Sequence, residues 1–188
     1  MQIHTKRNSG FTLLELMVVI GIMGVLMAIA IPAENTYRLK AELKTSVKDL
    51  RSMYWDAQSH SLAPTTKDVT AYEIAVTKQS SAPTPPISEQ ECVGNTCGDI
   101  NKVTFGSNIF ISDIKCVVGS ATGITSLATY FAVGNNKTSG TMSFYNSVGG
   151  ALIDCDNIEL IMSSIAVSGY NFKITLDRTN NSIDYSPA

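Results

Sequence analysis

The run GFTLLELMVVIGIMGVLMAIAIPA, from Gly10 to Ala33, is nearly all apolar and holds one charged side chain, Glu15. As a helix rising about 1.5 Å per residue it reaches roughly across a hydrocarbon core of about 30 Å. The rest of the chain is placed relative to this span. A carboxylate in such a run costs about 2.5–3.5 kcal/mol near the bilayer centre and less toward the helix end. Glu15 therefore has two readings: an interfacial residue that tolerates its position, or a charge kept for a partner.

The remainder of the 188 residues suffices for one compact domain. The formal net charge is −2, and Lys6 and Arg7 sit ahead of the apolar run, so the chain from Phe11 onward is more acidic still. Nucleic-acid binding by bulk charge is excluded on that balance, while a specific contact of the head with DNA stays open. Four cysteines, Cys92, Cys97, Cys116 and Cys155, all lie beyond the apolar run and form no C-x-x-C pair. An even number in an exported head points to disulfides, with free buried thiols as the alternative. Sequence does not choose among the three pairings, although Cys92 with Cys97 would close the small CVGNTC loop and leave Cys116 for Cys155.

The leader MQIHTKRNSG is short, polar and basic, and ends in Gly10 just before the apolar run. Its cations should stay cytoplasmic. A secretory signal would place a small-residue cleavage site after the apolar region; Ala28-Ile29-Ala30 mimics one, but a helical pattern continues beyond it. The series Gly10, Phe11, Thr12, Leu13, Leu14, Glu15, together with Pro32, resembles the processing motif of the type IV pilin and type II secretion pseudopilin superfamily. That resemblance covers about a quarter of the chain. It implies that a prepilin peptidase cuts after Gly10 on the cytoplasmic side and methylates the new amino terminus of Phe11, and that the apolar run stays as the anchor. It also implies an inner-membrane assembly platform, other pilin or pseudopilin subunits as partners, and Glu15 paired with the amino terminus of a neighbouring subunit. The implied location is the bacterial inner membrane, single-pass with an exported head, and then a pilus or pseudopilus.

Gly21, Gly24 and Pro32 interrupt the helix; they read either as a softened segment that bends on leaving the bilayer or as ordinary close packing between membrane helices. Leu39, Leu43, Val47, Leu50, Tyr54 and Ala57 then recur at intervals of three and four, which predicts an amphipathic helix stopping near Ala63-Pro64. The chain divides into five regions: a leader over 1–10, a membrane or filament-core segment over 11–33, an amphipathic continuation over 34–63, a variable connecting region over 64–102 and a β-rich head over 103–188. Tyr72 to Val76 is a candidate short strand in the connecting region. In the head, Asn108–Val118, Ile124–Val133, Thr141–Tyr145, Ile158–Val167, Tyr170–Leu176 and Ile183–Tyr185 read as antiparallel strands separated by Asn- and Gly-rich turns. The fold class is α+β, a long N-terminal helix packed on an antiparallel β-rich head. The order resembles that of H-type minor pseudopilins and related minor pilins.

Catalytic chemistry is sparse. His4 lies in the leader, and His60 near the helix end reads as a surface residue. GNNKTSG has Asn136 where a phosphate loop needs glycine before its lysine. Asp154, Asp156, Asn157 and Glu159 crowd oxygen ligands and form a weak calcium candidate, although the spacing is not that of an EF-hand and an Asp/Asn-rich turn accounts for it. No cofactor and no catalytic residue is expected. The reading is a structural subunit assembled through its N-terminal helix, with a membrane-anchored binding module, its head capturing DNA or an exported protein, as the alternative.

Overall fold

The computed structural model describes residues 11–134, 140–146 and 150–188, and the side chains of 30–33 are left aside. The leader 1–10, the GNNKTSG stretch at Asn135–Ser139 and part of the turn expected after Asn146 lie outside the described residues.

A single helix, α1 (Leu13–Leu62), runs through Gly21, Gly24 and Pro32 without interruption. It contributes to two compact units, one ending at Arg38 and one comprising Leu39–Ala188. In the first unit every side chain described is exposed, the large apolar ones from 44 % at Val19 to 83 % at Phe11. A Cβ added at Gly21 or Gly24 would meet nothing within 4 Å.

In the second unit α1 buries Leu43, Val47, Leu50, Met53, Tyr54 and Ala57. This is the stripe expected from the spacing, with Met53 added and Leu39 only half-buried. The helix stops because Pro64 comes next; the Ala63 N–H still reaches the carbonyls of Ser59 and His60.

Nine strands complete the described chain: β1 (Ala71–Thr77), β2 (Ile87–Val93), β3 (Thr96–Val103), β4 (Ile109–Gly119), β5 (Ser126–Ala132), β6 (Met142–Tyr145), β7 (Cys155–Ser164), β8 (Val167–Asp177) and β9 (Ser182–Pro187). They form two sheets, β3-β2-β1-β5-β6 and β4-β7-β8-β9, with every pairing antiparallel. One apolar cluster joins the helix stripe to both sheets. Tyr54 meets the ring of Phe131 on β5 edge-on, while Arg51 and Gln58 donate to the carbonyls of Ile183 and Asn181 at the β8–β9 hairpin.

The stretch 64–102, read from the sequence as a connecting region, holds three of the five strands of the first sheet. Its alternation is hidden because β2 places two glutamates, Glu89 and Glu91, on the face shared with Tyr72 and Ile74 of β1. The edge strand β3 is exposed along most of its length and carries Asp99 and Lys102, the usual protection of a free edge. Gly94, at φ 61°, begins the two-residue turn between β2 and β3, where glycine supplies the positive φ that a tight hairpin needs.

Both disulfides join strands of one sheet. Cys92–Cys97 links β2 to β3 across directly opposed positions, and Cys116–Cys155 links β4 to β7. These are the partners suggested by the short CVGNTC loop. Chain-entropy reasoning assigns about 2 kcal/mol to the short loop and about 4 kcal/mol to the long one.

Candidate functional site

The N-terminal end of α1 is built around Thr12 and Glu15. Thr12 precedes the first helical residue, and its carbonyl accepts the N–H of Leu16, which makes it the N-cap. The Thr12 hydroxyl accepts the N–H of Glu15 at 3.2 Å, and the Glu15 carboxylate reaches back to the N–H of Thr12 at 3.5 Å and its hydroxyl at 3.4 Å. This is a capping box, two orphan donors at a helix start satisfied reciprocally by a Thr and a Glu three residues apart. The carboxylate also lies at the positive end of the helix dipole. The signal T-x-x-E before an apolar run was legible in the sequence, and reading Glu15 only as a membrane charge missed it.

The cap satisfies hydrogen bonds and leaves the charge. No cation among the described residues forms an ion pair with Glu15. The segment behind it is long and apolar enough to cross a membrane, with a mean hydropathy of 2.6. A helix that exposes leucine, methionine, valine and isoleucine on all sides requires an apolar solvent or copies of a similar helix around it.

Of the calcium candidates, Asp156 pairs with Arg178, and Glu159 pairs with Lys173 at 2.5 Å. The Asp154 carboxylate accepts from the Ser120 hydroxyl at 3.0 Å, and Cys155 is in its disulfide. The structure thus gives each of the three carboxylates its own partner across a strand or loop.

Two buried carboxylates were not singled out from the sequence. Glu89 on β2 is fully buried and shares a hydrogen bond with His60 Nδ1 at 2.7 Å, and the centres of the His60 and Tyr72 rings lie 5.4 Å apart. Burial pushes the Glu89 carboxyl above the usual range, the His60 hydrogen bond opposing it. His60 is therefore a helix-end residue with a specific partner. Glu73 on β1 is also fully buried, and burial pushes it up against the pull of a hydrogen bond from Tyr130. Its Oε2 lies 3.9 Å from Cys92 Sγ and 3.7 Å from Cys97 Sγ. These three residues form a compact carboxylate–sulfur group, but with the bridge closed neither sulfur offers a thiolate to a metal. Glutamates inside a polar-looking strand leave no periodicity signal; only the fold reveals them.

Residues 5–31 match the prokaryotic N-terminal methylation motif. Two fimbrial proteins of Pseudomonas aeruginosa are each 31 % identical over 105 residues, covering 52 % of this chain and 68 % of the relative. The type IV major pilin protein PilA of Myxococcus xanthus strain DK1622 is 42 % identical over 48 residues, 26 % of this chain and 22 % of that protein. No solved structure matches the chain. With a methylation motif at the start of an exposed apolar helix, an antiparallel β-rich head behind it and homology spanning more than two thirds of the fimbrial proteins, the chain belongs to the type IV pilin superfamily and is a pilus subunit.

Proposed function

We propose that the chain is a prepilin-type subunit cut after Gly10 by a prepilin peptidase, methylated at Phe11, and inserted from the inner membrane into a filament by an assembly platform. It acts structurally and carries no catalytic residue. The 11–33 segment is first anchor and then filament core, 34–63 continues it into the head, and Gly21, Gly24 and Pro32 soften it for the transfer. The finer placement is a minor pilin or pseudopilin at or near the tip: the match to the fimbrial proteins leaves about half of this chain outside it. Counting copies per filament by quantitative mass spectrometry tests this, with a stoichiometry matching the most abundant subunit speaking against it.

The observation that carries the reading is Glu15, a charge in an apolar run with no described side chain buried, its hydrogen bonds met by Thr12 and no cation beside it among the described residues. Cleavage after Gly10 would create an α-amino group on Phe11. An ammonium of a neighbouring subunit would neutralise the carboxylate where two helices are in register, and misregister would leave both charges unpaired in an apolar layer.

The capping box supplies a clean test, because glutamine serves at that position as well as glutamate does. Glu15→Gln keeps the cap and removes the charge. The variant is expected to be cleaved, to stay in the membrane fraction, and to be lost from sheared filaments, each read by immunoblot. Wild-type amounts in filaments would refute the pairing, and a mass for the mature chain that does not begin at methylated Phe11 would refute the processing.

A further inference from the structure

We propose that Glu73 carries the proton for opening and closing the Cys92–Cys97 bridge, and that this bridge is a redox-responsive site for a dithiol reductant or a disulfide oxidant. The site is assembled by register. Glu73 on β1 lies opposite Gln90 on β2 and opposite Tyr130 on β5, while Cys92 and Cys97 lie opposite each other at the end of the β2–β3 hairpin. Together these pairings hold the carboxyl against both sulfurs, at 3.9 Å from Cys92 and 3.7 Å from Cys97.

The surroundings specify which groups bear on Glu73. Tyr130 faces it from β5 and is itself packed edge-on against Tyr145 of β6 at 5.0 Å. Gln90 turns its amide away to Asp99 of β3, and Asp99 pairs with Lys102. Glu73 Oε1 has no hydrogen-bond partner among the described residues. A disulfide sulfur donates no proton, so an ionised carboxylate here would face two acceptors, whereas a protonated one can direct its O–H at sulfur. Desolvation favours that protonated form, as the raised pKa reflects.

The two sulfurs are not equivalent. Cys92 is 2 % exposed, whereas Cys97 is half-buried at the hairpin tip. A reductant thiolate therefore attacks Cys97 Sγ; a new S–S bond forms there, and the Cys92–Cys97 bond breaks with its electron pair moving to Cys92 Sγ. A thiolate left in that buried place beside a carboxylate would be strongly disfavoured. The Glu73 proton passes from Oε2 to Cys92 Sγ as the bond breaks, leaving a thiol and a carboxylate, which later regains its proton from solvent. The second thiol of the reductant, ionised, then attacks its own sulfur in the mixed disulfide and releases Cys97, which takes a proton from water. The dithiol is oxidised and the bridge reduced by two electrons. In the oxidative direction the Glu73 carboxylate removes the proton from Cys92 to generate the attacking thiolate. Among the described residues a carboxylate grouped with two cysteine sulfurs occurs only here, so Cys116–Cys155 is an internal reference.

The test tracks both bridges of the oxidised full-length chain in detergent micelles during reaction with dithiothreitol. Samples are trapped by alkylation, and each bridge is read from its peptides by mass spectrometry, with rates expressed per dithiothreitol thiolate between pH 5 and 8. For Cys92–Cys97 the normalised rate is expected to fall as pH rises through the titration of Glu73. Glu73→Gln should abolish that dependence and slow opening at the acidic end by about a hundredfold, the lower end of the usual scale of general acid catalysis. Tyr130→Phe, which removes the hydrogen bond that lowers the Glu73 pKa, should move the fall to higher pH. Cys116–Cys155 should open at the same rate in all three proteins. A flat wild-type profile, wild-type kinetics in Glu73→Gln, or a slowing shared equally by both bridges would each overturn the assignment. Should Glu73→Gln fail to fold, the wild-type profile and its displacement in Tyr130→Phe decide alone.

Discussion

Buried Glu73 and Glu89 act on the stability of the head in the same direction as pH changes, against Asp99, Asp113 and Asp177, whose hydrogen bonds hold them below the usual carboxylate range. A carboxyl whose pKa is raised on folding stabilises the fold fully below its unfolded pKa, and that contribution is lost as pH rises through the folded value. Glu73→Gln removes the loss, since the amide keeps the shape and stays neutral. It is expected to melt about 2–4 °C above wild type at pH 8, the response of a chain of this size to roughly 1 kcal/mol, with the gap closing toward pH 4. Thermal scans monitored by circular dichroism at both pH values check this. His60 works the other way, because it holds the Glu89 carboxyl at 2.7 Å. His60→Ala leaves that group buried without its partner and is expected to cost about 2 kcal/mol at neutral pH in urea unfolding. Adding Glu89→Gln should recover a large part. Neither role was legible in the sequence: ISEQECV and AYEIAVT show glutamates where alternation would place either face, and only pairing with β1 and β5 decides which are covered. Glu15 differs, since Thr12 and the apolar run beside it state the cap locally.

At the level of elements, legibility tracks periodicity. The helix stripe from Leu43 to Ala57 and the six strands from β4 to β9 match the expected segments, because each carries a strong apolar pattern bounded by turn residues. Strands β2 and β3 were hidden by glutamates, cysteines and an exposed edge. The end of β4 is shaped by a constraint that the sequence shows only as a glycine. Gly119 has φ 137°, and a Cβ there would lie 2.4 Å from the Asp154 carbonyl oxygen and 2.7 Å from Cys155 Cα. Backbone atoms cannot step aside as a flexible side chain can. Gly119→Ala is expected to destabilise the head by about 2–3 kcal/mol, measured by urea unfolding with both bridges intact. By contrast, Gly106→Ala meets the end of the Glu42 side chain, which can swing away, and should cost far less.

For the whole molecule, the division at Arg38 separates a segment with no described side chain buried from a unit whose core begins within the same helix. Residues 39–188 contain all members of the apolar cluster, including the helix stripe from Leu43 to Ala57. That fragment, produced in an oxidising compartment, is expected to be monomeric, to carry both disulfides and to unfold cooperatively. A fragment beginning at residue 64 loses the six buried apolar side chains of α1 and should remain unfolded or aggregate. Size-exclusion chromatography and thermal scans distinguish the two. The sequence reading placed the change from continuous apolarity to a one-sided stripe between residues 33 and 34, five residues ahead of this division, whereas the two-sheet arrangement of the head depended on long-range pairings that no local pattern states.

Because α1 is uninterrupted from Leu13 to Leu62, the residues that suit an apolar environment and those that nucleate the head core share one hydrogen-bonded helix. The same helix therefore answers to two surroundings: the residues up to Arg38 to an apolar one outside the head, and Leu43, Val47, Leu50 and Tyr54 to the core of the head itself.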